Sequence, residues 1–378
     1  MSVLLILSAF LLQDDERRSY SAPGFTAIYL GRHQLHDGSW GERSGTCDCR
    51  REDPEPGPEV QRRASELLIQ LGEDSLDSRV RAQDSLWALG PGIIPQIRES
   101  AGDGDLERRL RCRQLLAQRN RFSKPGDLES TALALLDCLW QGHTPHSRDV
   151  CRGVAIGPMM EKGLRWLIQV DPQPTRDPLG HVLATLALVE GYGKSKDDIL
   201  GAVAKTWLRG IAPSTTDSTE VLAWKGVTFH AARRNRLMPD ARDDLGRILA
   251  LLDRRPERLA RIGAYLSRVW LGETPDPGDA RAMLCVHPLD LDPVDLFFGT
   301  LVFRHAFGRE ELIENWFGFE VRRALLVSQG TRQKSCDEGA WMKGTTRETV
   351  RRTALTAMSF QVYYLYVDSP SEWEAPEK

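Results

Sequence analysis

Apolar residues recur at helical spacing along almost the whole of this 378-residue chain, and strand-like alternation is rare. The pattern is clearest at 131–140 (TALALLDCLW), 181–192 (HVLATLALVEGY), 245–252 and 354–366 (ALTAMSFQVYYLY). Between such runs stand Gly142, Pro145, Gly157-Pro158, Pro172, Pro174, Gly193, Pro213, Pro275 and Pro277. A period near 3.6, broken by Gly and Pro, builds helices of about ten to fifteen residues joined by turns. The chain is therefore expected to be all-α and assembled from helical hairpins.

Composition narrows the class further. Hydrophobic residues make up 41% and charged residues 27%, which suits a folded globular chain rather than a disordered one. A net charge of −3 gives no electrostatic footprint for nucleic acid, and none is expected as a partner. The arginine runs at Arg233, Arg234 and Arg236 and at Arg254, Arg255, Arg258 and Arg261 alternate with apolar positions, as solvated helix faces do. Residues 3–12 form a ten-residue apolar run, too short to span a bilayer, and no other stretch is long enough. The run matches the core of a secretory signal (1–17), which would make the protein exported or periplasmic. It has no Lys or Arg before it and no small-x-small cleavage site, so the alternative is a helix packed on the fold of a cytoplasmic protein. Cys138, His143, His146 and Cys151 are zinc-ligand types, but their spacing fits no standard site, so no metal and no cofactor is expected.

Residues 59–119 read differently from the rest. The phrase Arg79-x-x-Ala82-x-x-x-Leu86-x-x-Leu89-Gly90, followed by Ile93, Ile94 and Ile97, resembles a HEAT repeat. Two such units are few for a free-standing solenoid, so the segment is expected to form a small insert, with Gly90 ending one helix and the Pro/Glu-rich link 53–58 leading in. A second repeat brackets the chain. Near the start stand Gln34, Asp37, Gly38, Ser39 and Trp40; near the end stand Gln329, then Asp337, Glu338, Gly339, Ala340 and Trp341. A degenerate copy runs from Lys162 through Trp166 to Gln169. Both good copies place a Gln at a helix end and a Gly that permits a tight turn before a Trp. They resemble the Gln…Gly-x-Trp repeat of squalene–hopene cyclases and of bacterial prenyltransferase and squalene oxidase repeat proteins. Inner-helix phrases at 130–144, 180–193, 221–224, 295–300 and 353–366 carry the same resemblance. It implies an α/α toroid of alternating inner and outer helices, with a first hairpin at 18–58, the HEAT-like insert at 59–119, the remainder at 120–367 and a tail at 368–378. In that family the N-terminal ends of the inner helices face a central cavity.

The catalytic motifs of the family are missing. Cyclases use an Asp-x-Asp-Asp acid; the nearest strings here are Asp290-Leu-Asp292-Pro-Val-Asp295 and Asp240-Ala-Arg-Asp243-Asp244. Prenyltransferases hold zinc with Asp, Cys and His; the corresponding region has Cys336 and Asp337 but no His. The expectation is a non-catalytic binding or scaffold protein holding an apolar, peptide or glycan ligand in the cavity or on its rim, with the insert offered to a protein partner. The alternative is a terpene cyclase or prenyltransferase-like enzyme with an unrecognised acid. Candidate ligand-binding residues are His181 at an inner-helix start, Trp224 and Phe298 as aromatic platforms, Asp295 as site residue or helix cap, and Arg352, able to pair with Asp295 or bind an anion.

Overall fold

The computed structural model describes residues 25–35, 38–41, 57–73, 75–89, 93–102, 104–117, 127–170, 177–311, 315–316, 319–330, 338–341 and 345–364. The apolar run at 3–12, the link at 53–56, Gly90, Cys336, Asp337 and the tail lie outside these. The described residues are all-α apart from one hairpin of two-residue strands, β1 (Val150–Cys151) and β2 (Val154–Ala155). Helix α1 (residues 25–33) is followed by α2 (Pro58–Gln70), α3 (Leu76–Ala88), α4 (Ile94–Ser100) and α5 (Leu106–Ala117). Then come α6 (Asp127–Trp140), α7 (Ile156–Gln169), α8 (Pro178–Ser195), α9 (Asp198–Gly210), α10 (Thr219–Arg234) and α11 (Ala241–Leu252). The last are α12 (Arg258–Trp270), α13 (Pro277–Met283), α14 (Pro293–Glu311), α15 (Phe319–Ser328) and α16 (Thr346–Tyr364).

From α6 onward the helices fall into two kinds. The even-numbered helices α6, α8, α10, α12, α14 and α16 pack each on the next, and α16 packs back on α6, so the six form a closed cycle of neighbours. Of the others, α7 touches α6 and α8, α9 touches α8, α11 lies against α10 and α12, and α13 lies against α12 and α14. The sequence accounts for this division. In α8 every residue from Gly180 to Gly191 is buried, as required of a helix enclosed on all sides. In α9 only Leu200, Gly201, Ala204, Trp207 and Leu208 are buried, a single stripe at helical spacing. Enclosed helices must satisfy their own hydroxyls. Thr185, Thr228, Ser267, Thr300 and Ser359 each donate to the carbonyl four residues back, at 2.6–2.9 Å, in α8, α10, α12, α14 and α16 respectively. Starts are fixed by side-chain caps: Asp177 accepts from the Gly180 amide, Ser218 from Val221, and Asp292 from Val294 and Asp295. Asp292, not Asp295, is thus the cap of α14, which begins three residues earlier than the apolar pattern suggests.

The two Gln…Trp turns have matching geometry. Gln34 donates to the carbonyls of Gly38 (3.0 Å) and Met159 (2.8 Å), and Gln329 donates to that of Gly339 (3.1 Å). Each Trp is 1% exposed, and its indole N–H donates to the carbonyl four residues before the Gln: Trp40 to Leu30 at 2.7 Å, Trp341 to Leu325 at 2.8 Å. Each Trp backbone N–H then donates to a threonine of the next cycle helix, Thr131 of α6 or Thr353 of α16. The turn thereby ties the preceding helix to the following one. Gly38 and Gly339 have φ of 98° and 88°, and a Cβ on Gly339 would stand 2.0 Å from the Phe25 carbonyl oxygen, so glycine is required there. Next to it, buried Glu338 accepts from Arg32 of α1 (2.7 Å) and pairs with Arg152 of the β-hairpin, joining the turn before Trp341 to both. The third copy differs: Gln169 is exposed and Trp166 sits within α7, not after a turn.

Helices α2 to α5 form a separate core of Ala64, Leu67, Leu68, Leu71, Ala82, Leu86, Ile93, Ile97, Cys112 and Leu115. Because this cluster contains no residue of α6–α16, deleting residues 59–119 and joining the ends with a short linker is expected to leave a cooperatively folding protein. A circular-dichroism melt checks this; a variant recovered only as aggregate would mean that the insert completes the larger core.

Candidate functional site

The five candidate residues separate into distinct surroundings. Trp224 of α10 and Phe298 of α14 meet, with ring centroids 5.0 Å apart, and both stack or pack on Phe297. They are 1% and 0% exposed, so they are core side chains and not an open platform. His181 faces the other way, edge-on to Trp207 of α9 at 5.3 Å and against Gly210. Burial, then the Lys225 charge, pushes its imidazole down to about 4 against the pull of Asp177, so it is neutral near pH 7. Asp295 pairs with Arg258 of α12, not with Arg352, which is half-buried in the first turns of α16.

The middle of the helix cycle is occupied. Trp140 belongs to α6, Trp224 to α10 and Phe297 to α14, three helices that alternate around the cycle. Trp140 and Phe297 are 5.4 Å apart, and Trp224 stacks on Phe297 at 5.2 Å with 11° between the planes. Contacts among alternate helices run through the middle, so these rings meet there. At the N-terminal ends of the same helices lies a charged layer. Arg351 of α16 pairs with Glu129 of α6 and donates at 2.6 Å to Glu220 of α10, reaching past the adjacent helix. Arg347 donates to Asp127 at 2.9 Å. Burial raises the Glu129 carboxyl above its ordinary range; Arg351 opposes this, and the charges of Glu220 and Asp177 add to it. Acids in the first turns of several helices also suit the positive ends of the helix dipoles. The sequence reading missed this layer. Its signal was present as Asp127, Glu129, Glu220 and Asp295 in first turns, but nothing in the sequence paired them with Arg347, Arg351 and Arg258.

One buried carboxyl has unusual chemistry. Asp137 of α6 is fully buried and receives Thr26 Oγ1 at 2.5 Å, Gln141 Nε2 at 3.1 Å and Gln361 Nε2 at 2.6 Å. Burial pushes it up to about 7 despite those three donors. No arginine or lysine shifts it, and its neighbours come from α1, α6 and α16, so it acts as a polar joint among them. His305 is pushed down to about 4 by burial and Arg304, and His230, stacked on Trp270 at 4.8 Å, lies well below the usual range. Among the described residues no three His, Cys, Asp or Glu side chains gather as a metal would need. No described helix is long and apolar enough to cross a membrane.

Open space lies at the edge of the cycle. A groove of 530 Å³ runs between α11, α12 and α13, with Leu252, Tyr265 and Met283 as its apolar lining and Arg255, Arg261 and Arg268 around it. Arg268 is held by both oxygens of Asp253 at 2.8 Å, and Arg255 by the Asp217 carbonyl at 2.6 Å, so the walls are preset. Compared with known proteins, the chain matches no family model, no curated protein and no solved structure.

Proposed function

We propose that the chain is an α/α toroid of the terpenoid-cyclase and protein-prenyltransferase type that binds a ligand or partner on its rim and carries out no reaction. The observation that supports this reading is the aromatic cluster in the middle: Trp140, Trp224, Phe297 and Phe298 pack on one another where an isoprenoid substrate would need space. The groove between α11 and α13 has a volume within the usual range for ligand sites, and its lining mixes apolar side chains with the charged Asp253, Arg255, Arg261, Arg268 and Asp279. Its ligand class is an apolar molecule, peptide or glycan, and the exposed surface of α2–α5 is offered to a protein partner. A second reading, an enzyme of the cyclase type, draws on Asp137, whose proton is held near neutral pH as an acid catalyst's would be. Against it, the carboxyl is 0% exposed and its oxygens are taken up by hydrogen bonds from Thr26, Gln141 and Gln361.

Incubation with squalene and with farnesyl diphosphate, with and without zinc or magnesium, separates the two. No product is expected under any of these conditions. Product formation that disappears in Asp137→Asn or Asp295→Asn, with the variant still folded, would overturn the binding reading and identify the acid.

A further inference from the structure

Exposed apolar side chains concentrate on the four-helix unit α2–α5. Among the described residues eight large ones stand exposed, and Ile69, Val80, Leu106 and Leu110 belong to this unit. Three of them share one surface. Arg79 of α3 lies 3.3 Å from Glu107 of α5, and Arg111 of α5 donates to Gln83 of α3 at 3.4 Å. The two pairs ascend together, so α3 and α5 run side by side in the same direction. One residue turns a helix by about 100°. Val80 follows Arg79, whereas Leu106 and Leu110 precede Glu107 and Arg111. Rotating in opposite senses from two facing sides brings all three to the same side. Their exposures are 45%, 59% and 51%. The core residues Ala82, Leu86, Cys112 and Leu115 lie on the opposite side.

The edges of this surface are charged in a particular way. On α3, Asp77 and Asp84 flank Val80, and both are exposed. On α5, Arg109 and Arg113 each follow an exposed leucine by three residues, one helical turn. Arg81 turns off this side, with its Nε bonded to the Asp77 carbonyl. One edge is therefore acidic, the other basic, with an apolar centre between them. A two-fold axis parallel to the helices, lying in the plane of contact, lays α3 of one copy over α5 of the other. Each acidic edge then meets a basic edge, and the apolar residues meet in the middle.

We propose that a second copy of this chain docks on the α3–α5 surface, forming a two-fold symmetric dimer through the HEAT-like unit. A surface that carries its own complement suits a copy of itself better than an unrelated partner. Two helices per side give a contact smaller than the standard interface of about 1,200–2,000 Å², so dissociation in the range of about 10–100 μM is expected. Sedimentation equilibrium of the full chain over about two decades of concentration around that value, roughly 5 μM to 500 μM, reads it directly. Leu110→Glu should weaken association by at least about tenfold. High salt should weaken it as well, because the edge charges are screened. Asp84→Arg and Arg113→Asp should each weaken it, and the double variant should restore it. The single charge reversals lie on the surface, so they keep the test valid even where Leu110→Glu disturbs folding. A monomer at every concentration, a dimer indifferent to Leu110→Glu and to both charge reversals, or a double variant that stays weakened would each overturn the proposal.

Discussion

Trp341→Ala is expected to lower stability by about 3–5 kcal/mol, the range for deleting a fully buried aromatic. The loss has two parts. The indole is 1% exposed within a cluster that includes Leu296, Trp316, Leu325 and Phe360, so removing it leaves a cavity. Its N–H also satisfies the Leu325 carbonyl at 2.8 Å, at the end of α15. Trp341→Phe separates the two: it keeps most of the volume and should cost roughly 1–3 kcal/mol for the lost hydrogen bond and the residual space. Trp40 makes the equivalent bond to Leu30, and Trp40→Ala should cost a similar amount. Urea unfolding followed by tryptophan-independent far-ultraviolet circular dichroism measures these differences. A loss below about 1 kcal/mol for both alanine variants would mean that the turns do not tie their helices together.

The second large effect is a dependence on pH centred on Asp137. Its ordinary value is 3.8, and in the folded protein it stands at about 7. The folded state therefore holds this proton more tightly than the unfolded state. Stability is full below the ordinary value, falls as pH rises between the two, and is lowest above the folded value. Three units at 1.36 kcal/mol each set the scale at about 4 kcal/mol. The buried histidines act in the opposite direction. His181 and His305, both held at about 4 against 6.5, gain stability as pH rises through that interval. The raw profile therefore mixes opposing slopes, and the difference between parent and Asp137→Asn isolates the carboxyl. Asparagine can still accept from Gln141 and Gln361 through its oxygen and donate to Thr26. The variant should gain on the parent steadily from about pH 4 to 7 and hold that gain at higher pH. A parent-minus-variant difference that is flat from pH 4 to 8 would show that Asp137 is already ionised in the folded protein.

Much of the helical architecture was legible in the sequence. Enclosed helices such as α8 announce themselves as unbroken apolar or small-residue runs, and single-faced ones such as α9 as stripes. Gly38 and Gly339 were legible because a left-handed turn before a buried Trp leaves few other choices. The start of α14 was not legible, since Asp292 and Asp295 are equally good caps by type and only the helix's actual register selects between them. The candidate site was read least well. Trp224 and Phe298 lie on α10 and α14, but whether an aromatic lines a space or packs against other rings depends on what arrives from the other side. Here Trp140 and Phe297 arrive, from α6 and α14.

By itself the sequence determined the local structure: which segments are helices, which face of each is apolar, and where the chain must turn. These follow from periodicity, caps and glycine, whose causes act over a few residues. The tertiary structure alone decided the long-range pairings: Arg351 with both Glu129 and Glu220, Glu338 with Arg32 and Arg152, and Asp137 with Thr26 and Gln361. Many arginines and many acids are available in this chain, and any of them can pair by charge. Which ones do so is set by the packing of apolar faces, which brings some together and buries them while leaving the others in water.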